Sequence, residues 1–209
     1  MPSVSDLPAT PSADELSALG ASPGPSKLST PLTPADGPVC VTGASGFIAM
    51  HLTSQLLEKG YAVVATVRSE SKAGQVRALG EQFPGKLTVV GGCDLLKPGS
   101  FDAAIAGCVG VFHTASPFYP AQDKGAGVSA AGFEELVLPA VTGTSIVLES
   151  CRLAGTVRRV VVTASFACII NASFPPDATY NDTIWNVESF PNSSQEWTQP
   201  GVCVCVCVC

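Results

Sequence analysis

From Pro38 onward the chain alternates short apolar runs with longer amphipathic stretches. PVCVTG (38–43), YAVVATV (61–67), LTVVGG (87–92), VGVFHTA (109–115) and RRVVVTAS (158–165) read as strands. Between them the spacing predicts a helix over 46–59, where Ile48, Leu52 and Leu56 recur every four residues and Gly60 supplies a C-terminal stop. A polar helix is expected over 71–80, a short one over 99–106, and a long one over 132–154 that Pro139 should bend. Strands apolar throughout and separated by helices must be buried on both faces. That is the signature of a parallel sheet in a doubly wound α/β domain, here incomplete at its C-terminal side.

Residues 1–37 follow a different grammar. Pro, Ser, Ala, Thr and Gly dominate, and large apolar side chains are too sparse to offset the entropy of ordering, so a disordered, low-complexity tail is expected. A transit peptide would share the Ser and Ala content but should be basic. This stretch sets Lys27 against Asp6, Asp14, Glu15 and Asp36, and it has no secretory hydrophobic core. The cytoplasm is the expected compartment.

The whole chain has 209 residues, 17 acidic against 11 basic, for a net charge of −6. Nothing there would neutralise phosphates in bulk, which argues against nucleic acid or an anionic membrane as partner. No apolar run approaches the roughly 20 residues of a spanning helix. Of nine cysteines, four (Cys203, Cys205, Cys207 and Cys209) crowd the last seven residues and the rest are single. That is no disulfide framework, and a reducing compartment follows.

The candidate chemistry begins where the first strand turns into the first helix, at Thr42-Gly43-Ala44-Ser45-Gly46-Phe47-Ile48-Ala49. A dinucleotide's pyrophosphate needs backbone N–H donors at a helix N-terminus and no Cβ in its way. Gly43 suits the tight turn, Gly46 the close approach, and Ala49 lets the helix lie on the sheet. A small-residue turn without ligand is the plainer reading, but strand before and helix after favour the cofactor site. At the end of the second strand an acidic residue would select NAD. Arg68 stands there, with Ser69 and Lys72 nearby, a set suited to the 2′-phosphate of NADP(H). An exposed surface arginine is the alternative, and Glu70 falls beyond the strand end.

Together VCVTGASGFIA, ATVRSESKAGQVRAL, CDLL, VFHTASP, LPAVTGTSIVLESC and RRVVVTAS resemble the extended short-chain dehydrogenase/reductases, in the dihydroflavonol 4-reductase and cinnamoyl-CoA reductase-like group. The resemblance covers about 39–167. It implies a Rossmann domain over 38–200 and NADPH-dependent reduction of an aldehyde or ketone. By position it places Asp94 and Leu95 at the adenine, Thr114, Ala115 and Ser116 along the nicotinamide ribose, and Ser165 as the catalytic serine on the substrate carbonyl. The plainer roles are a turn residue for Asp94 and a turn-closing hydroxyl for Ser165. His113 reads as a packed strand-end residue, and neither it nor His51 has a metal-ligand partner at useful spacing.

The family's Tyr-x-x-x-Lys pair is absent: Tyr61, Tyr119 and Tyr180 have Ala65, Asp123 and Ile184 four residues on. Residues 180–197 resemble the acidic, Trp-containing loop ahead of the catalytic helix. Where that helix should begin, the chain reads Gly201 and then alternating Val and Cys to Cys209. A GT dinucleotide repeat translates as that alternation, so 201–209 is expected to be non-native. A thiolate metal site and an aggregation-prone strand are the rival readings. The sequons at Asn171, Asn181 and Asn192 are expected to be chance. The sequence thus suggests an inactive or weak reductase fragment. A non-catalytic NADP-binding module and a nucleotide-sugar epimerase or steroid dehydrogenase fragment are the alternatives.

Overall fold

The computed structural model describes residues 30–116 and 138–164, together with positions 175, 177, 179 and 180. Five strands are present: β1 (Val39–Thr42), β2 (Val63–Thr66), β3 (Leu87–Val90), β4 (Gly110–His113) and β5 (Arg159–Val162). The helices are α1 (Phe47–Glu58), α2 (Ala73–Leu79), which follows a 3-10 turn at Glu70–Lys72, α3 (Asp102–Ile105) and α4 (Leu138–Ala154). Each strand falls inside its expected apolar run. All pairings are parallel, and the strand order is β3-β2-β1-β4-β5. This is the doubly wound arrangement that the apolar runs imply. After β3 the chain crosses back over β1, so the order reverses between β1 and β4 and opens a crevice at their carboxyl ends.

Both faces of the sheet are covered. On one, Cys40, Val111 and Cys93 pack with Phe101, which precedes α3, Ala104 and Ile105 of α3, and Ile146, Val147 and Cys151 of α4. On the other, Val39, Val41 and Val63 meet Ala49, Leu56 and Leu57 of α1. Alternate residues of β1 serve opposite cores, which is why the strand has no polar face. Cys40, Cys93, Cys108 and Cys151 are buried thiols. Burial raises Cys108 and Cys151 to about 11, so they behave as small apolar residues.

The helical stripe differs from the expected one in one respect. The face of α1 that meets the sheet is Ala49, Thr53, Leu56 and Leu57, while Ile48 is 61% exposed. Ile48 lies in the first turn of α1, off the face that meets the sheet. The described part of the long helix begins at Leu138, with Pro139 as its second residue. Residues 132–137 of the expected 132–154 helix, on the amino side of Pro139, lie outside the described residues.

Residues 30–37, the end of the stretch expected to be a tail, have defined positions. The Tyr61 hydroxyl donates to the Leu32 carbonyl at 2.7 Å. Asp36 accepts from the amide and hydroxyl of Thr33, each at 2.7 Å, and from Arg158 ahead of β5. The segment thus links α1's end to β5 across the amino edge of the sheet.

Two stability predictions follow from this packing. The Thr53 hydroxyl is buried without a partner among the described residues. Thr53→Val should therefore raise stability by about 1 kcal/mol in a urea titration. Hydrogen bonds from Thr33 and Arg158 hold the Asp36 carboxyl well below its usual range. Its contribution is fully present above the ordinary Asp value near pH 4 and is lost as pH falls toward the depressed folded value. Asp36→Asn should flatten that part of the acid dependence, read from thermal melts between pH 5 and 2.

Candidate cofactor site

The crevice is organised by Gly43. Its φ of 65° lies in the left-handed region, and a Cβ there would come within 2.9 Å of the Ala115 Cα. Only glycine lets β1 turn while the end of β4 passes this close. The turn is then tied to β2, because the Gly43 amide donates to the Thr66 hydroxyl at 3.3 Å and the Ala44 amide to the Thr66 carbonyl at 2.8 Å. Ala44 is fully buried beside Ala65, Val67, Ala73 and Val76. Its amide and its methyl both point inward, so it seats the turn and does not face a ligand.

Ser45, Gly46, Phe47 and Ile48 form the open side. Gly46 caps α1 with an extended backbone, φ −77° and ψ 156°, and among the described residues no side chain caps the helix. A Cβ on Gly46 would meet only the Gly43 carbonyl, at 3.2 Å, and would otherwise fill the approach to the helix end. The amides of Ser45, Phe47 and Ile48 have no acceptor among the described residues. An uncapped N-terminus of a 12-residue helix carries partial positive charge as well as those donors. A diphosphate matches both, and the glycine leaves room for it.

Arg68 stands just past the carboxyl end of β2 and is exposed, as are Ser69 and Lys72 in the turn that follows. The hydroxyls of Ser69 and Ser71 are 3.0 Å apart. Glu70 pairs with Arg77, and its carboxylate lies over Gly91. The nearby acidic group is therefore engaged on the β3 side.

The loop after β3 has a more local role than the resemblance alone implies. The Asp94 carboxylate accepts the Leu96 amide at 2.9 Å, closing a turn, while its backbone exchanges hydrogen bonds with the Ser100 hydroxyl. Leu95 packs toward the core against Gly143 of α4, where a Cβ would stand 2.8 Å from the Leu95 Cβ. Leu96 is the exposed neighbour, at 59%.

Past the end of β4 the chain runs through Thr114, Ala115 and Ser116, and Ala115 lies against Gly43. The Thr42 hydroxyl accepts the amides of Thr114 and Ala115, both at 3.1 Å, and the Thr114 hydroxyl donates to the Thr42 carbonyl. His113 is buried, 2.8 Å from the Thr42 hydroxyl and 3.3 Å from that of Thr144. Burial lowers its imidazole to about 4. Ser165 and the Val-Cys tract lie outside the described residues. Among the described residues no group of three His, Cys, Asp or Glu side chains could hold a metal ion.

The structure thus gathers Gly43, Ser45, Gly46, Phe47, Ile48, Arg68, Thr114, Ala115 and Ser116 along one edge. It adds Thr42, Thr66 and Gly143, which the sequence reading passes over. Thr66 has no signal of its own, since its role depends on the β1–β2 register. Gly143 leaves a trace only as a glycine inside a helical pattern.

A parallel sheet in this order, with a glycine turn and an uncapped helix end at its reversal, defines a dinucleotide-binding α/β domain. Residues 43–187 match a family model described as NAD(P)H-binding. The chain is 41% identical over 167 residues to tetraketide alpha-pyrone reductase 1 of Arabidopsis thaliana, covering 78% of this chain and 48% of that protein. It is 39% identical over 153 residues to a dihydroflavonol 4-reductase of Hordeum vulgare, covering 72% and 40%. Gre2 of Candida albicans, solved in complex with NADPH, aligns with a TM-score of 0.66 at 34% identity, over 77% of this chain and 47% of that one. The chain belongs to the NAD(P)H-binding family, within the extended short-chain dehydrogenase/reductases of the dihydroflavonol reductase and cinnamoyl-CoA reductase type. It spans about half the length of the curated relatives it matches.

The two glycines should separate fold from ligand contact. Gly43→Ala meets both the left-handed backbone and Ala115, and should lose at least about 2 kcal/mol of stability. Gly46→Ala should melt within a few degrees of the native chain yet bind NADPH more weakly, read by thermal melts alongside fluorescence titration.

Proposed function

We propose that these residues form the cofactor half of an NADP-dependent reductase acting on a small ketone or aldehyde. The observation that carries the reading is the exposed Arg68 at the carboxyl end of β2, on the same edge as the open N-terminus of α1. In this reading the amides of Ser45, Phe47 and Ile48 hold the diphosphate. Arg68 and Lys72 hold the 2′-phosphate, where a guanidinium makes charge-assisted, bidentate hydrogen bonds. The turn at Asp94 to Leu96 flanks the adenine, with Gly143 holding Leu95 in place. Thr114, Ala115 and Ser116 line the nicotinamide ribose.

When bound, NADPH supplies the hydride. On the chain's side, the Ser165 hydroxyl would donate to the substrate carbonyl oxygen and orient it. Proton delivery to the alkoxide is the task of the family's Tyr-x-x-x-Lys pair, in which a nearby lysine lowers the tyrosine pKa. None of the three tyrosines in the 209 residues has that partner. The 209 residues by themselves therefore bind cofactor with little or no turnover. The relatives' reductase activities support the reaction class.

The test is a paired titration. NADPH should bind about ten- to a hundredfold more tightly than NADH, the difference expected from one or two charge-assisted hydrogen bonds. Arg68→Ala should erase that preference and leave NADH binding almost unchanged. Equal affinities in the native chain would remove Arg68 from its role. Carbonyl reduction by residues 1–209 at ordinary enzymatic rates would overturn the assignment of a non-turning cofactor half.

A further inference from the structure

We infer that Thr42, His113 and Thr144 form a directional hydrogen-bond relay that fixes the backbone of Thr114 and Ala115, making the three positioning residues for the nicotinamide half of the cofactor. The inference rests on the cofactor reading above and deepens it.

The direction of each bond follows from donor counting. A threonine hydroxyl has one proton to give and two lone pairs to receive with. Two amides, of Thr114 and Ala115, reach the Thr42 oxygen at 3.1 Å each, and amides can only donate. Both lone pairs are occupied, so the hydroxyl proton points along the remaining contact, 2.8 Å to the Nδ1 of His113. That nitrogen must therefore be the acceptor. The ring proton sits on Nε2 and is donated to the Thr144 hydroxyl on α4, 3.3 Å away. Burial keeps the imidazole neutral at pH 7, which leaves this single tautomer.

The relay runs through the interior, since Thr42, His113 and Thr144 are 0%, 4% and 6% exposed. At that depth a reversed or missing bond leaves a polar group unsatisfied, so the arrangement has little freedom. Its output is the position of two consecutive amides at the crevice. From above, Ala115 is stopped by Gly43, where the gap admits no Cβ. From below, the Thr42 hydroxyl holds it at hydrogen-bond distance. The segment is thus fixed between β1 and α4 before any ligand arrives, so binding would carry little further ordering cost.

A relay that merely completes the core would affect every part of the cofactor site alike. A positioning relay would affect only the end it holds. The experiment compares NADPH with 2′,5′-ADP, which carries the adenine and 2′-phosphate but no nicotinamide ribose. Each ligand is titrated against the native 1–209 chain, Thr42→Val, Thr42→Ser and Thr144→Val, with circular dichroism confirming that each variant is folded. Thr42→Val should weaken NADPH about tenfold, equivalent to one lost hydrogen bond. Thr42→Ser, which restores the hydroxyl, should return to within about threefold of native. In all variants 2′,5′-ADP should bind within about twofold of native. If Thr42→Val does not fold, Thr144→Val should still show the same split between the two ligands.

Equal losses for NADPH and 2′,5′-ADP would reduce the relay to a structural role and overturn the inference. So would native NADPH affinity in Thr42→Val. A native chain that binds 2′,5′-ADP and NADPH equally well would overturn the placement of Thr114 to Ser116 at the ribose, and the relay's role with it. A folded native chain that binds neither ligand would overturn the cofactor reading itself.

Discussion

Everything at the carboxyl edge of this sheet depends on how closely the ends of β1 and β4 approach each other. Parallel strands register Thr42 beside His113, and the next residues must pass one another as β1 turns into α1. The passage is possible because position 43 has no side chain and can adopt a left-handed backbone. Placing the glycine turn there leaves the N-terminus of α1 uncapped and facing the crevice. The same contact fixes the height of Thr114 and Ala115 above the sheet.

Local chemistry divides the residues of this edge into those that hold the turn and those left to meet a ligand. The amides of Gly43 and Ala44 are taken by Thr66, which anchors the turn to β2. Those of Ser45, Phe47 and Ile48, one residue or more further on, have no acceptor among the described residues. A similar division holds after β3. There Leu95 packs against Gly143 and Asp94 closes its own turn, so the loop is rigid before it offers a surface. Rigid support beneath a few exposed donors is the arrangement by which a site binds without much ordering cost.

At the opposite edge the segment 30–37 has a complementary role. Leu32 and Asp36 connect Tyr61, at the end of α1's turn, with Arg158 at the start of β5. Composition made this stretch resemble a tail. Its fixed position comes from a few hydrogen bonds to distant residues, and composition carries no record of those. Among the described residues no helix is long and apolar enough to cross a membrane.

Sequence alone determined the alternation of strand and helix, the parallel sheet, and the glycine turn with Arg68 at the neighbouring strand end. These are local properties, since burial on both faces demands apolar runs and a tight turn beside a phosphate site demands glycine. It grouped Ile48 both with Leu52 and Leu56 on one helical stripe and with the glycine turn at the candidate site; the structure leaves Ile48 exposed in the first turn of α1, because a period of four identifies a helix face without saying where the sheet beneath it ends. Thr42, Thr66 and Gly143 were invisible in that role for a related reason. Their partners lie 22 to 73 residues away in the chain, and only register, helix packing and the β1–β4 reversal bring them together. Tertiary structure decided which amides stay free, which way Ala44 and Leu95 face, and where the imidazole proton of His113 resides, because each depends on a neighbour that the linear order does not supply.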